Sequence, residues 1–334
     1  MPRQRRIIIA GGFYHIIQRG IEHRQIFIDD SDRSEFLRRL EIALRETQTS
    51  CLGWALMPNH FHLIIKTGKK PISDLMRKLL TGYAGYFNWR HKRVGHLYQN
   101  RYKGILCDEE AYLLELVRYV HLNPLRGGIV RNMDELCRYK WCGHGATAGK
   151  RKVMWQNVDE VLERFGNTCK YAQLKYRQFV AEGQKLGRRD EFSGGGLKRS
   201  AGGPAGIRAL NASGERWLSD ERILGDGGFV EDVLKQHEEW ELHRERLKRL
   251  GWDIDRLTDY VCSIFKVRKE GLKRKGRSNS ITQAKSIIVY WAKHLLGVSG
   301  ADIGELLGVT RQAVSVLFYK GEKLAEEKAL KLTC

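Results

Sequence analysis

Short apolar runs alternate with longer amphipathic stretches over residues 1–145. Phe13-Tyr14-His15-Ile16-Ile17 has the length and content of a strand, and Arg19-Gly20 closes it. Asp30-Ser31-Asp32 then offers N-caps to an amphipathic stretch over 33–47, which predicts a helix. Two apolar runs follow, Leu52–Met57 and Phe61–Ile65, split by Pro58-Asn59 in the manner of a β-hairpin. Leu75, Leu79, Tyr83 and Tyr86 recur at helical spacing and predict a helix over 72–90; Leu113, Leu116, Val117 and Val120 do the same over 109–123. Strands and helices mixed in this way predict an α+β domain, with helices packed on an antiparallel sheet.

Between 183 and 228 the pattern changes. Gly194-Gly195-Gly196, Gly202-Gly203-Pro204 and Gly214 sit among Lys, Arg and Ser, the composition of a flexible connection. Within it Ile207-Arg208-Ala209-Leu210 and Ile223-Leu224 are runs able to dock on a domain. From 229 onward helical periodicity returns almost without proline. The expected layout is a first domain over 1–145, a connector over 146–228 that is partly helical and then glycine-rich, and a helical domain over 229–334.

Composition narrows the function classes. With 42% hydrophobic and 29% charged residues among 334, a wholly disordered chain is excluded. No apolar run is long enough to span a bilayer, and the basic start through Arg6 leads only into Ile7–Ala10, so a cytoplasmic protein without membrane contact is expected. The 59 Lys and Arg against 39 Asp and Glu give a formal charge of +20, which points to a polyanionic partner and to nucleic acid first. The cysteines form no CxxC pair; Cys137, Cys142, His144 and Cys169 cluster, but their spacing fits no common zinc pattern.

Candidate chemistry lies in Met57–Ile65. Alternation along a strand sends His60 and His62 to one face and Phe61 and Leu63 to the other, so two imidazoles form a preorganised half of a metal site. Two histidines on a polar sheet face give the same pattern without a metal. In Leu116–Arg126, Tyr119 and Asn123 are i and i+4 and share a helical face, a phenol one turn from an amide oxygen. A core tyrosine followed by a helix-capping Asn123 before Pro124 would look alike. Tyr112, seven residues earlier, shares nearly that face. Tyr98 and Tyr102 compete too, although with Arg101 and Lys103 they better suit base stacking and phosphate contacts on single strands.

Over 301–315 Gly308 ends one helix and Thr310 caps the next, while Ile303, Leu307, Val309 and Val314 fall where a helix-turn-helix buries its core. Arg311, Gln312 and Ser315 then open an exposed recognition helix. Upstream, Lys273, Arg274, Lys275 and Arg277 form a run suited to phosphates.

Met57–Ile65 and Arg118–Arg126 together resemble the His-hydrophobic-His signature and tyrosine helix of single-tyrosine HUH transposases, most of all the REP-associated tyrosine transposases, small relatives of the 200/605 insertion-sequence transposases. Tyr14–Gly20, Gly95–Lys103 and Asp108–Leu113 carry further likeness, and the whole covers 5–145. The resemblance implies a ferredoxin-like domain with the HUH strand at the centre of its sheet. It implies His60, His62 and Asn123 as ligands of a divalent ion, Mg²⁺ or Mn²⁺, and Tyr119 as the nucleophile that attacks single-stranded DNA to leave a 5′-phosphotyrosine and a free 3′-hydroxyl. Arg19 and Arg126 are expected among the DNA contacts. Imidazole and amide ligands suit Mn²⁺ at least as well as Mg²⁺.

Residues 255–325 resemble the DNA-binding C-terminal domain of bacterial replication initiators, with Thr310-Arg311-Gln312 in place of that family's acidic-histidine signature. The expected protein is a metal-dependent endonuclease and strand transferase on single-stranded or hairpin DNA, monomeric or homodimeric. Its all-α helix-turn-helix domain would bind duplex DNA. A DNA-binding regulator built on an inactive nuclease scaffold, or a hydrolase using activated water, are the alternatives.

Overall fold

The computed structural model describes residues 7, 9, 11–68, 70–186, 192, 220–273, 279–330 and 332, the side chains of 239–241, 279 and 311 aside. Arg274, Lys275, Arg277, the side chain of Arg311 and the glycine runs of 194–214 therefore lie outside the described residues. The chain divides into two compact units, residues 1–233 and 234–334.

Unit 1 holds a five-stranded sheet, β1 (Phe13–Arg19), β2 (Ser50–Met57), β3 (His60–Lys66), β4 (Lys103–Cys107) and β5 (Ile223–Leu224), in the order β2-β3-β1-β4-β5. The first four strands pair antiparallel, and β5 adds parallel to β4. With the longer helices numbered α1 (Asp30–Thr47) and α2 (Ile72–Arg90), the chain runs β1-α1-β2-β3-α2-β4, the ferredoxin-like order. The HUH strand β3 is an interior strand, but β1 takes the middle, because β5 extends the sheet beyond β4.

Local chemistry sets the ends of these elements. Asp29, one residue before the expected caps, closes the start of α1 by accepting from the Ser31 and Asp32 amides. Asp108 does the same for α3 (Glu109–His121) at Glu110 and Ala111. That helix ends two residues before the expected 123; the residue preceding Pro124 disfavours helix, and Asn123–Arg126 forms a separate turn.

The sheet is covered on both faces. Phe61 packs on Phe36 of α1 at 4.7 Å between ring centroids, and Phe36 meets Tyr83 of α2 edge-on at 5.2 Å. On the other face Phe13, Ile64 and Ile105 cluster with Leu113, Leu116, Val117 and Val120 of α3. Part of the expected connector also belongs to this core: Val161, Leu162 and the Ala172, Tyr176 and Val180 of α4 (Cys169–Glu182) are buried with α3. Ile223-Leu224, one of its docking runs, forms β5; Leu106 N donates to Arg222 O (2.8 Å) and Asp108 N to Leu224 O (2.8 Å).

Unit 2 is all-helical, with most of α5 (Gly227–Arg249) followed by α6 (Ile254–Phe265), α7 (Asn279–Trp291), α8 (Gly300–Leu307) and α9 (Arg311–Glu327). Leu257, Ile288, Ile303, Leu307 and Val314 form its centre. The α8–α9 turn has the expected chemistry, with Gly308 left-handed at φ 62° and the Thr310 hydroxyl accepting from Ala313 N at 3.2 Å. Among the described residues no helix is long and apolar enough to cross a membrane.

Candidate active site

The two-residue turn Pro58-Asn59 starts β3 and delivers His60 and His62 to the sheet face opposite Phe61, with ring centroids 5.1 Å apart. His60 Nδ1 lies 2.7 Å from Asn59 Oδ1. An amide oxygen only accepts, so the ring carries its proton on Nδ1 and keeps a lone pair on Nε2. Asn59 is itself held, because its Nδ2 donates to His23 O at 3.2 Å. His62 Nδ1 meets His15 Nε2 at 3.0 Å, with the two rings stacked at 5.3 Å. His15 faces Ile64 and His62 faces Ile17 across the β1–β3 ladder, so the two histidines are diagonal neighbours on one face. Burial lowers the pKa of His60 to about 4 and that of His62 well below its usual value; the Arg19 charge acts in the same direction on both. The rings are therefore neutral at physiological pH, as metal ligation requires.

Helix α3 brings Tyr119 to the same place. Its half-buried ring stands edge-on to His15 (6.0 Å) and His62 (5.9 Å) and tilts against Phe192 at 5.0 Å. The Arg126 guanidinium carbon lies 5.7 Å from the ring centroid. Asn123 Nδ2 donates to Tyr119 O (2.8 Å) and to Val120 O (3.4 Å), which turns the amide nitrogen back onto the helix and reserves Oδ1 as the amide's acceptor. Among the described residues no group of three or more His, Cys, Asp or Glu is arranged to hold a metal. An ion on His60 and His62 therefore needs a ligand of another type, and an amide oxygen is one.

Arg19 is exposed at the end of β1, across the ladder from His60. Arg126 donates to Gly183 O (3.2 Å) and Leu186 O (3.1 Å). Arg101 and Lys103 are exposed. Tyr102 does not offer a stacking face as expected, whereas Tyr98 is half-buried. Tyr102 is 8% exposed beside Gly104; Tyr98, bridged through its backbone to Gly20, keeps only its hydroxyl out of solvent, and burial raises the pKa of that group. Tyr112 packs partly buried against the α3 core. In unit 2, Gln312 is exposed and Ser315 half-buried at the start of α9, and Lys273 lies exposed beside Gly308.

His15 and Asn59 also belong to the site, through His62 and His60. His15 and Asn59 are visible only as neighbours of the histidines in space or turn.

The Cys137–His144 cluster is a hydrogen-bonded core network. The Tyr176 hydroxyl lies 2.6 Å from His121 Nδ1 and 2.8 Å from His144 Nδ1, and Cys137 Sγ lies 3.3 Å from His144 Nε2. A phenol has one proton, so Tyr176 donates to one ring and accepts from the other. Burial lowers the pKa of His144 to about 4.

Residues 10–123 match the family model described as Transposase IS200 like, and residues 254–315 match that of the bacterial DnaA protein helix-turn-helix. Among solved structures the chain is similar to a REP-associated tyrosine transposase bound to a REP hairpin, at 16% identity and a TM-score of 0.37, over 47% of this chain and 98% of that one. No curated protein matches.

Proposed function

We propose that this chain, which joins an IS200-like transposase domain to a DnaA-type helix-turn-helix domain, is a metal-dependent endonuclease and strand transferase acting on single-stranded or hairpin DNA. The observation that carries the reading is the meeting of Tyr119 with His62 at 5.9 Å, beside a His60 whose Nε2 is left available.

His60 and His62 would hold a divalent ion through Nε2, the resemblance giving Asn123 Oδ1 as the third protein ligand, and Mn²⁺ would suit that mixed set at least as well as Mg²⁺. The ion, when bound, supplies Lewis-acid polarisation of a phosphoryl oxygen. The protein's own groups do the rest. The Tyr119 oxygen attacks phosphorus as its proton passes to solvent. The bond to the 3′ oxygen breaks, and that oxygen leaves with the electron pair and takes up a proton. Arg126, over the Tyr119 ring, favours negative charge on the phenol. The 5′-phosphotyrosine conserves the bond, so an incoming 3′-hydroxyl reseals the strand without an external energy source. The helix-turn-helix would hold the enzyme near its target on duplex DNA. Free cysteines and a DNA substrate suit the cytoplasm.

The test is incubation of the protein with Mn²⁺ and a pool of end-labelled hairpins, read on a denaturing gel, with Tyr119→Phe and EDTA as controls. Protein linked to the 3′-side fragment, absent from both controls, is the expected result. Cleavage without linked protein would assign the attack to water, and binding without cleavage would favour the regulator.

A further inference from the structure

We infer that the segment from Trp89 to Arg101 is a second contact for single-stranded DNA: Trp89 is a platform for an unpaired base, and Lys92, Arg93 and Arg101 hold the flanking phosphates. The inference rests on the function proposed above and concerns the strand beyond the reacting phosphate.

Trp89 is 80% exposed and Val94 97% exposed, in a unit whose Trp54 is fully buried. Helix α2 explains the first. Leu75, Leu79, Tyr83 and Phe87 form its buried stripe, and Trp89, two residues past Phe87, falls about 200° round the axis. A large aromatic in water contributes nothing to the core and leaves its ring face open to a planar partner.

Charge identifies the partner. Between Asp74 and Asp108 the sequence has no acidic residue, yet it holds Arg77, Lys78, Arg90, Lys92, Arg93, Arg101 and Lys103. Lys78 pairs with Glu46, and Arg90 with Asp29 and Asp32. Lys92, Arg93 and Arg101 make no ion pair among the described residues; Arg93 lies over the Phe87 ring at 5.7 Å. Cations without an ion pair among the described residues, in one segment with an exposed aromatic, form the basic, stacking kind of surface that binds single strands.

The segment is held in shape and aimed. Arg93 N donates to Asn88 O (2.8 Å) and Asn88 Nδ2 to Gly95 O (2.9 Å), closing the turn after α2. At its other end Ile21 N donates to Leu97 O (3.0 Å), Gln99 N to Arg19 O (3.1 Å) and Gln18 Nε2 to Asn100 O (3.0 Å). These bonds fasten residues 97–100 to the end of β1, where Arg19 is the ladder partner of His60. The segment thus starts at an exposed tryptophan on the α2 side of the sheet and ends at the end of β1, beside the first residue of the histidine strand.

The experiment measures fluorescence anisotropy with a hairpin carrying a single-stranded flank and with the same hairpin blunt, both in a Tyr119→Phe background that blocks turnover. Trp89→Ala should weaken the flanked hairpin by about 5- to 150-fold and leave the blunt one unchanged, with Trp89→Phe retaining part of the loss. Thermal melting should match the parent, since the side chain is exposed. Equal binding of the flanked hairpin by Trp89→Ala, or equal loss on both hairpins, overturns the inference while covalent capture by the native protein keeps the proposed function standing. Native protein that binds neither hairpin and captures neither would remove both.

Discussion

His15 on β1 sets the ring of His62 on β3: His15 Nε2 lies 3.0 Å from His62 Nδ1 in a stacked pair. For His62 to present Nε2 to a metal, its proton must sit on Nδ1 and His15 must accept it, which makes His15 a positioning residue. Removing such a partner typically costs about 10- to 100-fold in metal affinity. His15→Phe should lose that much Mn²⁺ affinity in a titration followed by electron paramagnetic resonance, with the circular dichroism spectrum intact. His15→Gln, which keeps an acceptor near the same point, should recover most of it. Unchanged affinity in His15→Phe would sink the assignment.

The buried network around Tyr176 predicts acid sensitivity. His144 titrates at about 4 in the folded chain against 6.5 for a free ring, so from pH 6.5 down to about 4 the unfolded state binds the extra proton. Stability is full above pH 6.5 and falls through that window by roughly 3 kcal/mol from this group. Burial lowers the pKa of His121 as well, in the same sense. Urea unfolding of the full chain, recorded at steps between pH 7 and 4.5, should show the decline. His144→Gln should flatten its slope, and an unchanged slope would show that other groups set the acid limit.

Much of unit 1 is legible because its pattern is strict. The alternation of His60, Phe61, His62 and Leu63 fixes which side chains meet Phe36 and which meet Tyr119, and the α2 stripe is read from spacing alone. What escaped depends on partners distant in sequence. His15 gains its role only once β1 pairs with β3, and the helix containing Tyr176 looks like part of a linker until its apolar side is seen against α3. Tyr102 looks exposed because it lies in a basic run, yet it is buried just before the start of β4. Trp89, 80% exposed, lies in a helix whose apolar stripe reads as purely structural.

Asp32 predicts where unit 1 is most easily damaged. Its carboxylate is fully buried, 2.6 Å from Arg90 Nη1 and 3.0 Å from His91 Nε2, and it also accepts from Ile28 N at 2.9 Å. Arg90→Ala leaves that carboxylate without its cation and should destabilise the protein by about 3 to 5 kcal/mol. The check is equilibrium unfolding at neutral pH. A loss below about 1 kcal/mol would mean that His91 and the backbone alone satisfy the buried charge.

In unit 2, Gln312 and Lys273 should affect DNA differently. Gln312 stands exposed in the first turn of α9, whose start is fixed by the Thr310 cap, and a glutamine there can read a base edge by donating and accepting together. Lys273, beside the turn at Gly308, offers only a point charge to a phosphate. On a duplex selected by the native protein from a random pool, Gln312→Ala should relax preference at one position by about 1 to 3 kcal/mol and leave the salt dependence unchanged. Lys273→Ala should weaken all duplexes alike and reduce the logarithmic salt slope by about 1. Neither change should affect covalent capture of a hairpin, because Tyr119 and both histidines belong to unit 1. If Gln312→Ala leaves the selected sequence as well bound as before, α9 does not read bases through this residue, and the duplex is held through its backbone.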